Sequence, residues 1–130
     1  LKVSPIWKVP VATVGSTQQI VFDSRGIIAY LLETHGHGRL HQEPADALSR
    51  IPRENILHAI DAALDSAISV FYLRREGLDV DPWAYTQRQR ARVDAIFAWL
   101  GDELSAGRFG GVDGLAELSL CCTLDWMVFR

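Results

Sequence analysis

Two short runs carry the residue types best suited to chemistry: Lys8-Val9-Pro10 and Val21-Phe22-Asp23-Ser24-Arg25. Pro10 opens a β-branched stretch, and a proline there removes a ladder donor. A cis bond before it would turn the Val9 backbone outward as a free pairing edge. Asp23-Ser24 stands where a strand ends and a helix begins. Such a corner offers unpaired backbone N–H groups and the positive end of a helix, which together suit a carboxylate. An extended, peptide-like ligand could pair with the Val9 backbone, set its terminal carboxylate on Ser24 and leave its ammonium to Asp23. The same residues also fit an edge proline followed by a plain N-cap, and spacing alone does not separate the two readings.

Other constellations are weaker. His35, His37 and His41 lie close together, but no cysteine or paired carboxylate completes a tetrahedral set, so a solvated loop is expected and no metal site. Arg88, Arg90 and Arg92 point in diverging directions on a helix and read as a solvated face. Cys121 and Cys122 diverge by about 100° and are expected to be buried, inert thiols. Asp61 and Asp65, one turn apart, read as an exposed acidic stripe. Phe71 and Tyr72 read as packing between helices rather than as the lining of a hydrophobic pocket.

The elements that must position these residues follow from periodicity. Residues 9–14 read as a strand, Gly15-Ser16-Thr17-Gln18 as a turn and Gln19-Ile20-Val21-Phe22 as the returning strand, together a β-hairpin. Asp23 caps a helix carried by Ile27, Ile28, Leu31 and Leu32, which Gly36 or Gly38 can end. Residues 37–52 lack periodicity and read as a linker with one helical turn at most, placing Pro52 in the first turn of the next helix. Ile56, Ile60, Leu64, Ala67, Ile68 and Phe71 mark its inner face, and Gly77 to Pro82 breaks it. A second long helix is expected from Pro82 to Ser105. A third, from Gly114, is apolar on most sides and is expected to be a buried central helix. The fold class is thus α+β: a hairpin and helix (1–36), a linker (37–52) and a helical bundle (53–130).

Composition narrows the function. The chain has 130 residues, enough for one typical domain or parts of two. Its net charge of −3 argues against nucleic-acid binding, which calls for a basic excess. No apolar run approaches the roughly 20 residues of a membrane span. The two cysteines are adjacent and cannot staple a loop, so a reducing, cytoplasmic setting is expected. The first residue is Leu, and Asp125 to Arg130 carry no stop signal, so both ends read as cut.

The runs Ser4-Pro5-Ile6-Trp7-Lys8-Val9-Pro10-Val11 and Ile20-Val21-Phe22-Asp23-Ser24-Arg25-Gly26-Ile27-Ile28-Ala29-Tyr30-Leu31 resemble the glutathione S-transferase family, in the second half of its thioredoxin-like N-terminal domain. Ala95-Ile96-Phe97-Ala98-Trp99-Leu100, Phe109-Gly110-Gly111 and Leu115 to Leu120 are similar to its all-helical C-terminal domain. The resemblance spans nearly the whole chain in the right order. It implies that glutathione is the co-substrate and a hydrophobic electrophile the second substrate, with a homodimer as the assembly. By this resemblance Val9 pairs through its backbone with the cysteinyl part beside cis Pro10, and Asp23 and Ser24 hold the γ-glutamyl end. Lys8 meets the glycyl carboxylate, and Arg25 contacts the same ligand or the partner subunit.

The departures from the pattern are specific. The family's catalytic Ser, Tyr or Cys, with the first strand, helix and second strand, aligns upstream of Leu1, and the last helices align beyond Arg130. Asp23 replaces the commoner Glu and keeps its charge. Gly114 replaces the Ser or Thr of a capping box that ends here in Glu117. Three functions stay open: a glutathione transferase, a non-catalytic module of the same fold used in protein assembly, and an unrelated helical bundle with a hairpin. With an unpaired strand edge, the 130 residues are expected to be poorly stable or to associate.

Overall fold

The computed structural model describes residues 4–6, 8–111 and 113–130, so Trp7 of the first quoted run lies outside it. The fold is mixed α+β and mostly helical: a two-stranded antiparallel hairpin and four helices among the described residues. Two compact units divide the chain, Leu1–Arg39 and Leu40–Arg130.

The first unit holds β1 (Val11–Val14), β2 (Gln19–Phe22) and α1 (Ser24–His35). The ladder runs from Val11 opposite Phe22 to Val14 opposite Gln19. β1 starts two residues later than periodicity predicts, because Pro10 has no N–H to give to a ladder. The turn closes through the Gln18 N–H, which donates to the Gly15 carbonyl at 3.3 Å. Gly15 (φ 68°) and Gln18 (φ 57°) both adopt the left-handed region, which Gly enters at no steric cost. α1 packs on both strands, with Gly26 set so that a Cβ would touch a Val21 methyl at 3.5 Å. It ends as expected at Gly36, whose N–H donates to the Leu32 carbonyl at 2.9 Å.

The second unit holds α2 (Ala47–Arg75), α3 (Ala84–Ser105) and α4 (Leu115–Phe129). α2 begins well before Pro52, a correction to the expected linker. Asp46 accepts from the Leu48 and Ser49 N–H groups and starts the helix there. Pro52 therefore lies inside the helix, where it leaves the Leu48 carbonyl without its intrahelical donor. Both α2 and α3 end in Schellman closures. After α2, Gly77 N–H donates to Arg74 and Leu78 N–H to Leu73; after α3, Gly107 N–H donates to Leu104 and Arg108 N–H to Glu103.

Helix α2 is the spine. It packs on α3 along one side and on α4 along another. Ile56, Leu57 and Ile60 meet Leu100 of α3 and Ala116 of α4 in the core. Burial of Ile56 and Ile60 stabilises the unit by about 1.5–3 kcal/mol each. Between α2 and α3, the buried Thr86 hydroxyl lies within reach of the carbonyls of Val80 and Trp83, holding the connection against the helix start.

One expectation about burial is overturned. α4 is not a buried central helix: Ala116 and Thr123 are buried, whereas Leu118, Leu124, Val128 and Phe129 are exposed. Contact with α2 covers one side of it and leaves Leu118, Leu124, Val128 and Phe129 open. α2, in turn, is long and apolar enough, by length and composition, to cross a membrane. Its apolar residues are interleaved with Asp61 and Asp65, so no unbroken run appears in the sequence, although an 18-residue window carries at most two charges. In this structure its inner stripe, Ile56 to Val70, packs against α3 and α4.

Candidate functional site

The hairpin register brings the two singled-out runs together. Val11 pairs with Phe22, so Val9-Pro10 and Asp23-Ser24 emerge from the same end of the ladder, one from each strand. The Val9–Pro10 peptide is cis. Val9 is 74% exposed, and Lys8, Pro10, Asp23 and Ser24 are exposed beside it in the chain. Arg25 is half-buried, and neither Lys8 nor Arg25 is without an interaction partner in the chain.

Asp23 is the unusual residue of this corner. It is the N-cap of α1, as its type predicts, and its Oδ1 accepts from the Arg25 N–H at 2.9 Å. Its backbone sits at φ 76°, ψ 136°, a region that residues with a Cβ seldom occupy. Holding a non-glycine residue there costs about 1–3 kcal/mol, and such positions cluster at ligand sites. The corner is thus partly self-satisfied. The Arg25 N–H is taken by Asp23, and the Ile27 N–H donates to the Asp23 carbonyl. The Ser24 and Gly26 N–H groups have no acceptor among the described residues. An incoming carboxylate would meet two backbone donors at a helix N-terminus, with Asp23 beside them.

Other sequence candidates separate. Among the described residues no group of three or more His, Cys, Asp or Glu side chains is placed to hold a metal ion. Cys121 and Cys122 are both exposed, not buried, because they lie on the sides of α4 that no helix covers. Phe71 packs edge-on against Trp126 of α4, ring centroids 5.6 Å apart, while its neighbour Tyr72 is exposed. The Arg88-Arg90-Arg92 cluster does not behave as one solvated face. Arg90 reaches Asp81, which also accepts from Arg74 at 3.1 Å. The Arg90 and Arg74 guanidiniums hold the Asp81 carboxyl below its ordinary range. Sequence reading missed this grouping, since the three charges lie on α2, the connection and α3 and meet only when the helices pair.

The start of α4 lacks the side-chain cap, as the Gly114 replacement implies. Gly114 is the N-cap and supplies no side-chain bond. Glu117 folds back so closely that a Cβ on Gly114 would lie 1.8 Å from its Oε2. The glycine is what makes room for that carboxylate.

Compared with known proteins, the chain matches no family model, no curated protein and no solved structure.

Proposed function

We propose that this chain is the glutathione-binding and helical part of a glutathione transferase, with residues 1–36 the second half of a thioredoxin-like domain. The observation that supports it most is Asp23. A charged, cap-forming residue is held in a costly backbone conformation at the mouth of a helix, at the same end of the hairpin as the exposed Val9. In this reading glutathione lies extended along the corner. The Val9 backbone pairs with its cysteinyl part. The γ-glutamyl carboxylate takes the Ser24 N–H and hydroxyl, and the ammonium faces Asp23. Lys8 and Arg25 serve the other charges of the tripeptide or, for Arg25, a partner subunit. The residue that lowers the thiol pKa aligns upstream in the family pattern, so these residues bind and orient while that one activates. The thiolate then forms a C–S bond with an electrophilic carbon, either expelling that carbon's leaving group as an anion or adding to an activated double bond whose displaced electron pair takes a proton from solvent.

Titration calorimetry of the intact protein with glutathione tests this. Binding is expected, and Ser24→Ala and Asp23→Asn should each weaken it about tenfold, as loss of a charge-assisted hydrogen bond does. Asn keeps the cap, so the Asp23→Asn melting temperature should stay near that of the parent. An absence of heat with millimolar glutathione would remove the proposal.

A second reading, a non-catalytic module of the same fold that assembles with other proteins, is favoured by one feature: the exposed apolar side of α4, with Val128 89% and Phe129 77% exposed. Sedimentation that depends on concentration, abolished by Val128→Lys together with Phe129→Lys while glutathione binding is absent, would favour this second reading.

A further inference from the structure

A cavity of about 670 Å³ opens in the second unit between the C-terminal half of α2, the first half of α3 and the end of α4. That volume falls within the about 300–1,000 Å³ of small-molecule sites. Its apolar wall includes Val70, Phe71 and Val93, with Trp126 standing edge-on to Phe71. Four arginines line it, Arg74, Arg75, Arg90 and Arg130, against a single carboxylate, Asp94. This local excess of positive charge sits in a chain whose net charge is −3.

Two polar side chains add hydrogen-bonding capacity to the wall. Ser66 and Gln89 line the same cavity and are 3% and 9% exposed. The guanidiniums are also held in place without being used up. Asp81 takes one donor each from Arg74 and Arg90, leaving most of their N–H groups available. Arg130 lies over the Phe71 ring at 5.3 Å, so its plane is steadied by an aromatic face.

We infer that this cavity binds a small aromatic carboxylate. The ring lies against Phe71 and Trp126, the carboxylate meets the arginines, and the Gln89 amide and Ser66 hydroxyl complete the polar contacts. The site lies wholly within the helical unit and does not rest on the glutathione reading; a protein that ignores glutathione could still bind here.

The test uses naphthalene-1-acetate and its neutral counterpart naphthalene-1-acetamide, titrated calorimetrically into the full chain. The acid should bind at least about tenfold more tightly than the amide, the difference expected of one hydrogen-bonded charge. Arg75→Gln, at an exposed position, should reduce acid affinity about tenfold and leave the amide unchanged, with the melting temperature followed alongside. Gln89→Leu should weaken the acid as well. Equal binding of acid and amide would overturn the assignment, as would no binding of either at millimolar concentration or an Arg75→Gln variant that binds the acid like the parent.

Discussion

At the scale of single residues, charges in the helical unit are set by specific donors rather than by general surroundings. Glu103 is the clearest case. It is nearly buried on α3 and accepts from the Arg108 guanidinium, Nη2 to Oε1 at 2.8 Å. Arg108 holds its carboxyl below the ordinary value of 4.5. A carboxyl whose folded value is depressed contributes stability that is present above its unfolded value and is lost as pH falls through the folded one. Melting of the helical unit should therefore be insensitive to this group at neutral pH and decline as the solution is taken below about pH 4.5. Glu103→Gln should melt lower than the parent at pH 7 and show a shallower decline on acidification, followed by circular dichroism across pH 2–7. Asp23 was legible as a cap from its type and place, but its left-handed backbone was not, because nothing in the pattern forces a non-glycine residue there. The cysteines were misread for a related reason: residue type favours burial, yet burial is decided by how many neighbours a helix has.

At the scale of elements, the sequence was informative where punctuation is strong. The hairpin, the α1 boundaries and the glycine ends of α2 and α3 were all readable, since positive-φ glycines and caps act locally. The start of α2 was not, because Pro52 draws attention from the weaker signal of Asp46 six residues earlier. Gly114 shows a local rule overridden by a neighbour. Serine is the better N-cap in isolation, but here it would displace the folded-back Glu117 carboxylate. Gly114→Ser should thus gain nothing alone. In an Glu117→Ala background the same change should stabilise the helix, with a coupling of about 0.5 kcal/mol or more between the two sites. Thermal or urea unfolding of the four-member cycle measures it.

At the scale of the molecule, two units of unequal build share one chain. In the first, none of the described apolar residues is buried, and its sheet has two strands. Two strands alone are marginal in water, so its order depends on α1 packing across them. The second unit has a continuous apolar core. That contrast was foreseen only in part, since patterning identifies which residues are apolar and not which faces find a neighbour. The exposed side of α4 and the charge-lined cavity both arise from that pairing geometry, which no local spacing records. Helix α4 is held chiefly along α2. A support attached along one flank can peel away while the α2–α3 pair persists, so deuterium should enter the amides of 118–129 well before those of 56–70. Uniform uptake across both stretches would mean that the three helices open together, as a single cooperative body.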